Sequence, residues 1–292
     1  TVKYIAVGLV IGVAGTALVG AALLLALGPG GPLFPIPSAT GTRPPAPTST
    51  VSVTPSPSRT LTPLPSPTWT PPPSPTATLT EVELLVQDGG LAFAGPLTAG
   101  EQVALYEASL RYVATTPGDS RRLSKQINGV GYGDPSNICG PLAAAILREA
   151  GLLPPETVPH DFWLLDPLQV SGHQVLNLTF PPERYDHTKT LTAINKMDWQ
   201  AFPLLPGDFL FLWHGSWGNF DHMLVVTRVD NDGRTYSVTN FGTPDGFIID
   251  EQMLYDPGDP SAGLFHTWTK VRDAVLGSTG FGGFELWRRR AP

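Results

Sequence analysis

The 292-residue sequence predicts an α+β domain in which a cysteine-bearing helix packs on an antiparallel β-sheet, set behind an apolar segment and a proline-rich stretch. Three observations predict it. Helix start and stop signals cluster between residues 98 and 155, strand-like runs separated by turn residues fill the C-terminal third, and the composition changes abruptly at Glu81.

In chain order, the first element is residues 4–27, "YIAVGLVIGVAGTALVGAALLLAL", which carry no charge. At about 1.5 Å per residue such a run crosses a hydrocarbon core of roughly 30 Å, so residues 1–28 are expected to form a transmembrane anchor. A cleaved signal peptide is the alternative. Its apolar region is shorter, about 7–15 residues, and ends in a small-x-small cleavage site, whereas this run flows into "GPGGP". Lys3 precedes the run and the next charge is Arg43, which places the N-terminus in the cytoplasm and the rest outside, a single pass through the cell membrane. Gly8 and Gly12 form a GxxxG that can pair membrane helices into a homodimer; in so glycine-rich a run, chance is the competing explanation.

Residues 29–80 are almost all Pro, Ser and Thr with two charges, Arg43 and Arg59. They hold too little apolar surface to fold, and their prolines favour extended polyproline II, giving a disordered, semi-rigid linker with a reach of up to roughly 160 Å. Residues 81–292 then have the length of one domain with a real core. Three of the 18 basic residues precede residue 81, leaving 15 against 25 acidic, a formal charge of −10, which argues against nucleic acid or an anionic membrane surface as partner. The single cysteine, Cys139, excludes a disulfide scaffold for an extracytoplasmic domain.

Within that domain, Thr98 and Glu101 have capping-box spacing ahead of Val103, Tyr106, Leu110 and Val113 on one helical face. After the loop "NGVGYGDPSN", the run "CGPLAAAILREAGLLPP" has Pro141 in its first turn, Gly151 as its stop and Pro154–Pro155 beyond, so Cys139 opens a short apolar helix. Residues 152–200 are irregular. His160, His173 and His187 are scattered there without metal-pair spacing, and "NLT" at Asn177 is a glycosylation sequon only where the host uses that chemistry. "LLPGDFLFLW", "HMLVVTRV", "RTYSVTNF" and "GFIIDEQML" follow as strands, with Asp208 in a turn and Asp230 and Asp232 at a hairpin. A three-residue loop, Asn231 to Gly233 with Gly233 left-handed, pairs residues whose numbers sum to 464. It joins Leu224, Val226, Tyr236 and Val238 in one apolar patch and sets Asn240 diagonal to His222 on the same face.

The chain thus offers a thiol at a helix N-terminus and a histidine beside an asparagine. The helix terminus favours the thiolate. An imidazole can hold it as an ion pair and later protonate a leaving group, and an amide beyond the ring fixes its tautomer. A lone cysteine as a small buried hydrophobe is the competing explanation. His214, in the Gly- and Trp-rich loop "LWHGSW", is the competing base. Trp213, Trp217 and Phe220 either line a substrate cleft or cover the sheet edge.

At these residues the sequence resembles the papain-like superfamily of cysteine peptidases and amidases. "CGPLAAAILREAG" looks like the nucleophile helix of double-glycine-leader peptidases, and "PGDFLFLW" with "DHMLVVTRVDNDGRTYSVTNFG" is similar to CHAP and NlpC-type cell-wall amidases; together they cover roughly residues 126–255. The resemblance implies a papain-like fold with Cys139 as nucleophile, His222 as base and Asn240 as orienting residue. Related peptidases take an oxyanion donor from a Gln a few residues before the cysteine. Gln126 is thirteen residues upstream, and Asn137 and Tyr132 are the nearer candidates. The function expected is a membrane-anchored extracytoplasmic hydrolase that cleaves a peptide or amide bond through an acyl-thioester. No cofactor or metal is implied, peptidoglycan peptides are favoured as substrate and proteins come next. The alternative is a catalytically silent binding module at the cell surface.

Overall fold

The computed structural model describes residues 80–215, 221–271 and 279–291. The expected anchor and linker, apart from Thr80, lie outside the described residues, and so do Trp217 and Phe220. Among the described residues no helix is long and apolar enough to cross a membrane.

The helices begin where their caps dictate. Thr98 accepts from the Glu101 amide at 3.2 Å while the Glu101 carboxylate accepts from the Thr98 amide at 2.8 Å, opening α2 (Ala99–Leu110). An identical box at Thr80 and Glu83 opens α1 (Glu81–Gln87), and Thr116 followed by Pro117 opens α3 (Pro117–Asn128). The cysteine-bearing helix is α4 (Cys139–Glu149). It ends as its sequence predicts, with Gly151 at φ +73° and the Leu152 amide donating back to the Leu147 carbonyl at 2.9 Å. Helix α5 (Val170–Thr179) and helix α6 (Leu264–Val271) complete the set, with Asn177 exposed on α5.

All strand pairs are antiparallel, so the architecture is α+β. A four-stranded sheet has the order β1 (Tyr185–Thr190), β7 (Phe284–Arg289), β2 (Phe209–Leu212), β3 (His222–Val225). A three-stranded sheet has the order β4 (Arg228–Val229), β5 (Thr235–Thr243), β6 (Gly246–Tyr255). Strand β2, "FLFL", has no polar alternate residue because both its faces are covered. Phe209 and Phe211 pack with Leu142 and Ile146 of α4, while Leu210 and Leu212 pack with Trp199 and Phe265 on the opposite side. Asp208, expected as a turn residue, accepts from the Leu205 amide at 2.8 Å. It is also buried against Arg288 of β7, which donates at 2.8 and 2.6 Å.

The hairpin at residues 231–233 has the expected loop. Gly233 is left-handed at φ +78°, the Asp230 amide donates to the Arg234 carbonyl, and Arg228 pairs with Tyr236 and Val229 with Thr235, each pair summing to 464. The register does not extend to His222. Between Val226 and Arg228 the chain changes sheets: β3 pairs with β2, while β5 pairs with β6. The Thr227 amide and hydroxyl both donate to the Tyr236 carbonyl at this break. An odd slip in register turns every later side chain to the other face.

Candidate active site

The position of Cys139 follows from "CGP". A Cβ at Gly140 would lie 2.3 Å from the Phe162 carbonyl oxygen and 2.8 Å from the Met223 methyl, so only glycine lets β3 and the turn Pro159–Phe162 close over the start of α4. Pro141 then occupies the first helical turn, where no amide is needed. Cys139 is half-buried, and its sulfur takes backbone N–H contacts from Met223, Gly140 and its own amide. Burial nevertheless pushes the thiol up from its ordinary range, with the Asp221 carboxylate adding to the rise and the backbone donors only partly offsetting it. The lowered thiol expected from the helix terminus is therefore corrected: at rest Cys139 is a neutral thiol.

The expected pairing of His222 with Asn240 is corrected as well. His222 Nε2 lies 2.8 Å from Thr239 Oγ1, and its ring packs on Trp268 of α6 with centroids 4.8 Å apart. Thr239 and Asn240 are strand neighbours and point to opposite faces. Asn240 stands opposite Ile249 in the ladder and its Nδ2 donates to the Pro135 carbonyl at 2.7 Å, holding the turn that leads into Cys139. Its Oδ1 is buried with no hydrogen-bond partner among the described residues. Burial lowers the His222 pKa to about 4, so this imidazole is neutral at physiological pH.

A second imidazole reaches the same cleft. His214 holds Asp221 twice, its backbone N–H at 2.8 Å and its Nδ1 at 2.7 Å from the same carboxylate oxygen. An ionised carboxylate only accepts, so Nδ1 is the donor in this contact. The cleft has a volume of about 1110 Å3, and Cys139, His214, Asp221, His222 and Asn240 all line it. Trp213 lines it too, its indole N–H buried without a partner among the described residues, and so does Asn137. Gln126 is exposed on α3, away from the cleft. Tyr132 packs on His160 and Trp163, each at 4.7 Å between centroids, and does not line the cleft either. Of the three oxyanion candidates only Asn137 lines the cleft.

Two of the other histidines hold structure. His160 Nδ1 is 2.7 Å from Asn128 Oδ1, and His187 joins Lys189 on the buried carboxylate of Glu285. Among the described residues no cluster of three or more potential ligands can hold a metal ion. Sequence reading missed Thr239 and Asp221. Asp221 had a visible signal, an acid just before a strand histidine and seven residues after His214. It also missed the wall made by Leu164, Leu165, Asp166 and Leu168, in a segment without periodicity. Compared with family models, curated proteins and solved structures, the chain matches none.

Proposed function

We propose that the domain is a papain-like cysteine hydrolase that cleaves a peptide or amide bond through an acyl-thioester on Cys139, held outside the membrane by residues 4–27 and the linker. The observation that carries the proposal is one arrangement. The only thiol in the chain stands at the first residue of a helix, under three backbone N–H groups, in a cleft with two imidazoles that are each anchored through one nitrogen.

The base is His222, the residue before the Met223 amide that touches the sulfur, and Thr239 takes the orienting role that Asn240 was expected to play. With Nε2–H donating to Thr239 Oγ1, Nδ1 accepts the thiol proton as sulfur forms its bond to the carbonyl carbon. The carbonyl electrons move to oxygen, which the Cys139 backbone N–H and the Asn137 amide are assigned to stabilise. Collapse breaks the C–N bond, and Nδ1 returns its proton to the departing amine. Water then attacks the thioester, gives its proton to Nδ1 and releases the acid and the thiol. Thiol and imidazole are both neutral at rest, so the proton moves only when substrate is present, unlike the ion pair that the helix terminus alone favours.

Turnover of a peptide library by the full-length chain tests this reading. Cys139→Ala is expected to abolish turnover. Thr239→Val is expected to lower kcat about 10- to 100-fold with little change in KM, because the ring keeps its place but loses its fixed tautomer. A binding module would show no turnover in the unaltered protein, and its ligand binding would ignore Cys139→Ala.

A further inference from the structure

The walls of this cleft differ in chemistry from the thiol at its base. Leu164 and Leu168 stand 62% and 71% exposed on one side, and Phe247 stands 40% exposed on the other, at the β5–β6 hairpin tip. These are large apolar side chains left in water beside a chemically equipped cleft, the arrangement that marks a binding surface. The leucine wall is also prebuilt. Leu164 is held at φ +49°, a conformation costly for a branched residue, and a Cβ at Gly172 would lie 2.1 Å from the Asp166 carbonyl oxygen, so α5 seats directly on the loop.

The charged side chains of the cleft are acidic, and its unpartnered buried polar atoms among the described residues are one acceptor, Asn240 Oδ1, and one donor, the Trp213 indole N–H. Asp166 accepts from the Leu168 N–H and Gln169 Nε2 of its own loop, and Asp221 is held through one oxygen by His214. Each brings a carboxylate to the cleft with its charge uncompensated by any Lys or Arg among the described residues lining it. The domain as a whole carries ten more acidic than basic residues. An acidic lining favours a ligand that carries positive charge and disfavours one bearing carboxylates. The volume of about 1110 Å3 exceeds that of most small-molecule sites and accommodates several residues of extended chain.

We infer that the occupant of the cleft is an extended peptide segment with bulky apolar side chains and a basic group facing Asp166 and Asp221, and not the carboxylate-bearing peptides of the cell wall. The inference rests on the proposed hydrolase for the position of the scissile bond, and charge complementarity carries it independently of catalysis. It replaces the peptidoglycan preference drawn from the sequence with a polypeptide substrate.

The test separates binding from chemistry. Full-length chain carrying Cys139→Ala is titrated with three synthetic peptides that share one Leu- and Phe-containing frame and differ at one position, Lys, Gln or Glu, and with a soluble wall-derived peptide fragment. The Lys peptide is expected to bind about tenfold tighter than the Glu peptide. The gap should narrow in Asp221→Asn and in Asp166→Asn. Should either variant fail to fold, the same gap is read in the unaltered background and must shrink when salt is raised from about 50 to about 500 mM. Equal or tighter binding of the Glu peptide or the wall fragment overturns the inference, and so does the absence of binding by all four. Turnover is scored separately in protein with Cys139 intact. A Lys preference in binding without turnover leaves the inference standing and removes the hydrolase; turnover without any charge preference does the reverse.

Discussion

His222 carries the largest electrostatic consequence at the scale of single residues. An unfolded chain takes a proton on this imidazole near pH 6.5, whereas the folded protein, with the ring buried against Trp268, takes it only at about 4. The folded state therefore binds fewer protons between those values. The contribution of His222 to stability is intact above pH 6.5 and falls by up to about 3 kcal/mol as the pH drops from 6.5 to 4. Urea unfolding at pH 7 and pH 4.5 is expected to show the unaltered chain losing about 2–3 kcal/mol more than His222→Gln over that interval. Parallel losses in the two proteins would mean that the ring is not buried as described. Asn240 illustrates the opposite case, a residue whose identity was noticed for the wrong partner: its amide holds Pro135, and so the approach to Cys139, rather than the imidazole.

At the scale of elements, the legible parts were those coded by short-range chemistry. The Thr98–Glu101 box, the Gly151 stop and the left-handed Gly233 each follow from a backbone need that only a few residue types meet, and each is found in place. The site was legible to the same depth: Cys139 at a helix start, a strand beginning at His222 and a three-residue hairpin. The sheet change at Thr227 was not legible, because nothing in "LVVTRV" distinguishes a strand that continues from one that leaves its partner. That single break exchanges Thr239 for Asn240 beside His222. Helices α1 and α3 were overlooked although Thr80–Glu83 and Thr116–Pro117 carry the same start signals, because neither is followed by a clear apolar stripe. The junction between α4 and β3 gives a direct check on packing. Gly140→Ala gains about 1 kcal/mol in helix propensity. Against that, its Cβ meets the Phe162 carbonyl oxygen at 2.3 Å, and backbone atoms have nowhere to move. A net loss of about 1–3 kcal/mol in chemical denaturation is expected, and a neutral or stabilising result would contradict the close approach of β3 to the start of α4.

At the scale of the whole molecule, two cores share the four-stranded sheet, one beneath α4 and one beneath α6, and the cleft opens where residues from both meet. Cys139 and Asn240 come from the α4 side, while His222, on the strand face that carries Leu224 and Val226, belongs to the side of Trp268. Cys139 and His222 are thus supported by different cores. Sequence alone conveys little of this, since the two cores are interleaved residue by residue along β2 and β3. The central claim is that Cys139 is the nucleophile of an acyl-transfer reaction, and the most direct measurement is intact-mass spectrometry of the full-length chain mixed with an activated ester of an apolar, lysine-containing peptide and quenched in acid at short times. The account predicts a transient mass increase equal to the peptide acyl group, mapped by proteolysis to Cys139 and absent in Cys139→Ala, rising and decaying with turnover. Turnover that proceeds equally in Cys139→Ala, or an acyl group found on another residue while Cys139 stays free, would contradict it.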